Sequence, residues 1–259
     1  MCNNPSAILI ALVLLGVVQG CASYVTPGGG ANMKALGVTE DMREANTDGI
    51  IRQALDRKPL ATFPTAIAVA RVQAAGYCSP TARGWGHGNY SVVTTRDIEK
   101  PEQITRLAKL PMISGIAPMS HILLPESLQS DAELRQAAAQ LHAEMLLIYT
   151  IDTQFKQEDK AAPLSVISLG LTPNQQIRVD STASAVLMDT RNGYVYGLAE
   201  ASEHQKHYTN AWQSNVSVDE TRRTTESAAF ERLIEEFENT WKGVVQRYAS
   251  SVNAPESGT

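Results

Sequence analysis

The sequence predicts one α/β domain with a mixed sheet packed by helices, and three patterns support this fold class. Residues 65–73 (TAIAVARVQ) and 145–151 (MLLIYTI) are apolar on both faces, which is typical of central strands. Residues 176–188 alternate apolar and polar side chains, as a strand with one buried face does. The longest predicted helix carries an apolar stripe, so we expect it to lie on the sheet.

The N-terminus contains a short apolar run that ends in a cysteine. Residues 7–18 are too few for a membrane-spanning helix, which needs roughly 20 residues, and suit the apolar region of a signal peptide. Residues 18–21, Val-Gln-Gly-Cys, resemble the lipobox of bacterial lipoproteins. This resemblance implies cleavage after Gly20 and a diacylglycerol anchor on Cys21. For a Gram-negative host it also implies the periplasmic face of the outer membrane, because Ala22 stands where an aspartate would signal inner-membrane retention.

Residues 21–46 are predicted to be a flexible tether behind the lipidated Cys21. Residues 22–31 have no periodic pattern and contain Pro27 and three consecutive glycines. The folded domain is then expected to span residues 47–249, and residues 250–259 to form a disordered tail.

The first half of the domain begins with an amphipathic helix that starts at Thr47 and stops before Pro59. The strand 65–73 follows, and the β-branched residues 90–96 predict a second strand. Pro101 suits the first turn of a short helix. Residues 112–124 are predicted to be extended.

The second half begins with a capping box, Ser130 with Glu133, which starts a helix that runs through His142. Residues 164–172 are expected to be extended. Asn192-Gly193 suits the turn between the strand 176–188 and its antiparallel partner 194–203. A second capping box, Ser217 with Glu220, is predicted to open the longest helix. Its apolar stripe comprises Phe230, Leu233, Ile234, Phe237, Trp241, Val244, Val245 and Tyr248.

Charge and cysteine content narrow the class of protein. The chain has 22 basic and 27 acidic residues and no basic tract, which argues against a nucleic-acid partner. Of its three cysteines, Cys2 would leave with the signal peptide and Cys21 would be lipidated. Cys78 then has no internal partner for a disulfide, and it is a small semi-buried residue, a reactive thiol or one half of an intermolecular bridge.

The order of elements over residues 65–248, and above all the segment 176–197 (QIRVDSTASAVLMDTRNGYVYG), resembles the periplasmic domain of curli-export-type (CsgG-like) lipoproteins and the related TolB N-terminal domain. The resemblance implies an α/β sandwich without catalytic residues. Curli-type channels also insert two hairpins into the membrane. Ile167, Leu169 and Leu171 alternate with small or polar residues and suit half of one hairpin, whereas residues 203–215 have no apolar row.

The segment 84–88 (GWGHG) looks like part of a dinucleotide-binding fingerprint. A phosphate would need a helix N-terminus after it, but the following residues predict a strand. We therefore interpret the segment as an exposed Gly-rich loop, or as a partner-contacting loop that uses Trp85 and His87.

The remaining candidates for chemistry are weak. His204 and His207 are the only closely spaced histidine pair, and no third ligand is visible, so no metal and no cofactor are expected. No familiar catalytic motif occurs, and the nearest carboxylate pair of the return strand, Glu200 and Glu203, suits solvated side chains.

The expected function is a non-enzymatic outer-membrane lipoprotein that binds another envelope protein in a secretion, surface-structure or cell-wall assembly. Two alternatives stay open: a ring-forming subunit of a secretion channel, which would make the chain a homo-oligomer, and an envelope hydrolase.

Overall fold

The computed structural model describes residues 27–32, 47–159, 175–209 and 215–249, which form four helices and nine strands. The helices are α1 (Thr47–Asp56), α2 (Pro101–Ala108), α3 (Asp131–Gln140) and α4 (Asn215–Val244), and α4 continues as a π-helical turn over Val245–Ala249. The strands are β1 (Thr65–Ala74), β2 (Gly84–Trp85), β3 (His87–Gly88), β4 (Tyr90–Val93), β5 (Ile113–Pro118), β6 (Ser127–Leu128), β7 (Met145–Asp159), β8 (Gln175–Asp189) and β9 (Val195–Thr209).

Strand β1 lies at the centre of a seven-stranded sheet. It pairs in parallel with β7 on one side. On the other side it pairs in parallel with β5 along its first half and antiparallel with β4 along its second half. Strands β7, β8 and β9 are antiparallel neighbours, and β2 lies beyond β4. The predicted mixed sheet, with an antiparallel hairpin near the C-terminus, is therefore confirmed.

Helices cover both faces of this sheet, so the domain has three layers. Helices α2 and α4 pack on one face, where the buried stripe of α4 includes Phe230, Phe237 and Trp241. Helix α3 packs on the other face through Leu134, Ala137 and Ala138. Full burial of each large apolar side chain contributes roughly 1.5–3 kcal/mol, which holds the long helix on the sheet as the sequence predicts.

The two predicted helix starts have different outcomes. At α3 the Ser130 hydroxyl accepts a hydrogen bond from the Ala132 amide at 3.2 Å, and the Glu133 carboxylate accepts the Ser130 amide at 3.0 Å. The capping box at Ser217 predicts Val218 as the first helical residue, whereas helix α4 begins at Asn215, three residues earlier, so this predicted boundary is wrong. The helical backbone extends back to Asn215, so Ser217 and Glu220 lie inside the first turns of the helix and not at its cap.

Strands β7 and β9 are longer than predicted. They continue to Asp159 and Thr209, whereas the apolar pattern ends near residues 151 and 203. The added residues are mostly polar and pair with β8 through the main chain, so they need no buried face to remain in the sheet.

Helix α1 is present as predicted, but Ile51 and Leu55 on it are 50% and 79% exposed.

Part of the predicted tether is held on the domain. Residues 27–32, which we call the strap, lie against the sheet, and the Ala31 amide donates to Thr150 Oγ1 at 2.7 Å. Flexibility is therefore the wrong prediction for these six residues.

Several predictions fall on residues that the structure does not describe. These residues are Gly20, Cys21, the segment 160–174 with Ile167, Leu169 and Leu171, and the tail 250–259. Among the described helices, none is long and apolar enough to cross a membrane.

Candidate functional site

The 15-residue strand β9 forms one edge of the sheet, and in the described part of the chain β8 is its one neighbouring strand. The Leu198 carbonyl oxygen accepts a hydrogen bond from Thr240 Oγ1 at 3.1 Å, so this carbonyl points away from β8. Main-chain groups repeat every two residues along an antiparallel strand, so those of Glu200, Ser202 and His204 also point away from β8. This row of donors and acceptors can pair with a further strand.

The side chains along this edge are polar and partly fixed. Ser202 and Thr182 share a hydrogen bond of 2.8 Å, and the Ser184 hydroxyl donates to Glu200 Oε2 at 2.8 Å. Leu198, which is 69% exposed, is an apolar residue at the start of the row. The edge therefore combines an ordered polar ladder with two exposed apolar side chains near its start, Val195 and Leu198.

Charges of both signs lie beside this edge on β8 and β7. Arg178 Nε donates to Asp180 Oδ1 at 2.6 Å, and Lys156 Nζ lies 3.2 Å from Asp180 Oδ2. Partial burial acts to raise the pKa of Asp180, but the hydrogen bonds from Arg178 and Lys156 outweigh it, so the pKa lies below its ordinary value. Asp180 is thus ionised at neutral pH, opposite His204 in the strand register.

The two residues predicted as partner contacts lie near the other edge of the sheet. Trp85 is in β2 and 37% exposed, and its ring centroid lies 5.0 Å from that of His121. His87 is exposed in β3, and its amide donates to the Glu126 carbonyl oxygen at 2.7 Å. The segment predicted as a Gly-rich loop thus forms two short strands, with Trp85 exposed on one of them.

The residues weighed for metal binding and acid–base chemistry are not brought together. His204 is exposed on β9, and the register places His207 opposite Ile177. Glu200 accepts from Ser184, whereas Glu203 pairs with Arg232 of α4, on the opposite face of the strand. Within the described ranges, no group of three His, Cys, Asp or Glu residues could hold a metal ion.

A groove of about 690 Å³ lies between α4 and residues 97–100. Two of its carboxylates pair with guanidinium groups, Glu231 with Arg106 at 3.3 Å and Glu220 with Arg223 at 3.4 Å. A general acid requires a carboxyl group with a raised pKa. The carboxyl groups of Asp97, Glu144 and Asp180 each have a pKa below its ordinary value, so these three groups do not suit the role of a general acid.

A buried charge network borders this groove and joins β1 to α4. Arg71 Nη1 donates to Asp97 Oδ1 at 2.8 Å and to Glu99 Oε1 at 3.4 Å. Arg222 of α4 donates to Glu226 Oε2 at 2.6 Å, and Glu226 lies 3.9 Å from Arg71. These side chains are at most 5% exposed, so their pairing holds the helix to the sheet.

Burial acts to raise the pKa of Asp97, but the Arg71 guanidinium and hydrogen bonds from Thr81 and Arg71 outweigh it. The pKa of Asp97 is therefore lower than its ordinary value. The carboxylate stays ionised beside Arg71, as a structural ion pair requires.

Neither the β9 edge nor the charge network was predicted from the sequence. One signal for the network is present in the sequence: Arg71 lies inside a strand that is otherwise apolar on both faces. A buried charge must be paired, so this arginine predicts carboxylates nearby. The edge position of β9 gives no comparable signal, because strand order does not follow from a local pattern.

The comparisons with known proteins leave the family open. No protein-family model matches the chain, and a search of curated proteins returns no significant match.

Proposed function

We propose that the protein is a non-enzymatic outer-membrane lipoprotein whose periplasmic α/β domain binds another envelope protein through the edge of β9. The anchor is the lipid on Cys21, which the lipobox-like residues 18–21 support. The observation that carries the binding role is the 15-residue edge strand with outward main-chain groups at Glu200, Ser202 and His204.

A strand added to this edge would bind mainly through main-chain hydrogen bonds, and side chains would set its specificity. Long edges are usually protected by charges, bulges or proline. In β9 the bulge lies at the start of the strand, opposite Leu187 and Met188, and the described part of β9 contains no proline. The stretch around Ser202 carries the charged residues Glu200, Glu203 and Lys206. It therefore suits pairing with a polar strand of a partner and disfavours an apolar one.

The anchor is tested by growing cells with a palmitate analogue that can be tagged after lysis. The wild-type protein should carry the label and fractionate with the outer membrane. Cys21→Ala should carry none, and Cys78→Ser should be labelled like the wild type. An unlabelled wild-type protein would contradict the anchor.

The docking edge is tested with a photo-crosslinking amino acid at Ser202 or His204, and at the exposed Gln136 of α3 as the matched control. We expect the same envelope protein to be crosslinked from both β9 positions and not from Gln136. Equal crosslinking from Gln136, or none from β9, would contradict the proposal.

A second copy of the chain is the other occupant that this edge admits. A heterologous contact between copies closes into a ring when the rotation permits it. A crosslinked product with twice the mass of the chain from Ser202 would favour the alternative function, a ring-forming channel subunit.

A further inference from the structure

Three cations lie side by side across β7, β8 and β9. The strand register places Lys206 of β9 directly opposite Arg178 of β8, and Arg178 directly opposite Lys156 of β7. Residues that face each other on antiparallel strands share one face of the sheet, so these three side chains form a row, which we call the cation row. Like charges in directly opposite positions repel each other, and the row ends at the open edge of β9.

The charge of the cation row is compensated only on its inner side. Asp180 accepts a hydrogen bond from Arg178 Nε at 2.6 Å and lies 3.2 Å from Lys156 Nζ. Lys206 is exposed, and in the part of the chain that the structure describes no carboxylate forms an ion pair with it. The edge position of the row therefore has a positive charge that an added strand can meet.

The edge is acidic at the other end of the same stretch. A groove of about 400 Å³ runs beside β9, and its lining residues are Glu200, Ala201, Ser202, Arg232, Glu235 and Glu236. Arg232 is the one cation of this lining, and it pairs with Glu203. Glu200 is exposed and accepts a hydrogen bond from the uncharged Ser184 hydroxyl. Negative charge therefore dominates around Glu200, as positive charge does around Lys206.

Glu200 and Lys206 are placed so that one strand can contact both. They are six residues apart on β9, so their side chains lie on the same face of the sheet, about 20 Å from each other at roughly 3.4 Å per residue. The main-chain groups of Ser202 and His204, which lie between them, point away from β8 and can hydrogen-bond to an added strand. Such a strand would place its own side chains directly opposite Glu200 and Lys206.

We infer that the strand bound by β9 carries an acidic side chain opposite Lys206 and a basic side chain opposite Glu200, six residues apart along its own chain. This inference rests on the proposed docking at β9 and specifies the chemistry of the docked strand. The acidic side chain would continue the cation row with the opposite charge. The basic side chain would enter the acidic end of the edge.

The experiment measures how tightly four synthetic peptides bind the full chain, purified in detergent, by fluorescence anisotropy. The peptides share one Thr- and Val-rich sequence and differ at two positions six residues apart. Two peptides carry one Asp and one Lys in either order, one carries two Asp, and one carries two Lys. We expect the better of the two mixed peptides to bind wild-type protein about threefold to tenfold more tightly than either like-charged peptide.

Charge reversal on the edge should change this ranking. The peptide with two Asp should bind Glu200→Lys most tightly, and the peptide with two Lys should bind Lys206→Glu most tightly. Lys156→Glu is the matched control, because it makes the same charge change in the cation row but lies two strands from the edge. A mixed peptide should still bind this control most tightly. Thermal unfolding shows that each variant is folded.

The outcomes separate this inference from the proposed function. Equal binding of all four peptides to the wild type, or the same ranking in the two edge variants, would overturn the charge pattern and leave docking at β9 intact. A ranking that changes equally in Lys156→Glu would show an effect of net charge and would also overturn it. Absence of binding by every peptide would overturn the inference, and crosslinking from Ser202 in cells would decide the proposed function separately.

Discussion

Arg71 is a charged residue in the central strand, and its side chain is only 1% exposed. Removal of one partner from a buried ion pair leaves an uncompensated charge. Asp97→Asn should therefore destabilise the domain by about 3–5 kcal/mol at neutral pH. Urea unfolding measures this, with Glu220→Gln as the control.

Glu220 pairs with Arg223 but is 69% exposed, so its loss should change the free energy of unfolding by less than about 0.5 kcal/mol. If Asp97→Asn and Glu220→Gln lowered the free energy of unfolding by similar amounts, the buried Arg71 network would not stabilise the domain as its burial suggests.

The same carboxylate predicts a dependence on pH. The pKa of Asp97 in the folded protein lies below the ordinary value of 3.8, so its stabilisation is complete above that value and is lost as the pH falls through the folded-state pKa. The free energy of unfolding should fall less between neutral pH and roughly pH 3 in Asp97→Asn than in the wild type. If the free energy of unfolding, measured with urea, fell by the same amount with pH in the wild type and in Asp97→Asn, this prediction would be contradicted.

Single residues show why only part of the site was predictable from local sequence patterns. Arg71 contacts Asp97 and Glu99, which are 26 and 28 residues away, and no local pattern specifies such a contact. Gly29 and Gly30 suggested flexibility because glycine in a sequence gives no sign of the β7 side chains that approach it. Ser130 and Glu133 were predictable since the capping box depends on neighbouring residues alone.

At the scale of elements, the contact between α4 and β9 fixes the edge strand on the domain. Gly197 lies directly beneath the helix, and a Cβ atom there would lie 2.5 Å from Thr240 Cγ2. Gly197→Ala should therefore destabilise the domain by about 1–3 kcal/mol through overpacking.

Thr240→Ser provides the matched test of this contact. It removes the methyl group but keeps the hydroxyl that donates to the Leu198 carbonyl oxygen. The double variant should recover to within about 1 kcal/mol of Thr240→Ser alone. If Gly197→Ala cost the same free energy of unfolding in both backgrounds, the clash would not be its cause.

Element type was more predictable than element length. Buried stretches such as β1 and the stripe of α4 have hydrophobic patterns that specify them. The ends of β7 and β9 are polar and persist through pairing with β8, which a hydrophobic pattern cannot report. Helix α1 has the opposite combination, a hydrophobic pattern without burial. Its apolar spacing correctly predicts a helix, although Leu55 on that helix is exposed.

At the scale of the whole molecule, the strap and the docking edge belong to the same continuous sheet. The strap contacts β7, and β9 is the second strand beyond it. In our proposal the lipid on Cys21 tethers the domain to the membrane, and the edge of β9 remains available to an envelope protein. The mixed α/β class was predictable from two apolar strands and one amphipathic helix, whereas strand order required the structure.

The most direct test blocks the edge without removal of the anchor. Ser202→Pro removes one outward amide of β9, a change that edge strands tolerate. Ser202→Ala is the control, because it loses the same hydrogen bond to Thr182 and keeps the amide.

The measurement is co-purification of the tagged protein with its partner from detergent-solubilised envelopes. Ser202→Ala should retain the envelope partner, and Ser202→Pro should lose it while it remains folded and lipidated. Retention of the same partner by folded Ser202→Pro would contradict the proposed docking at β9.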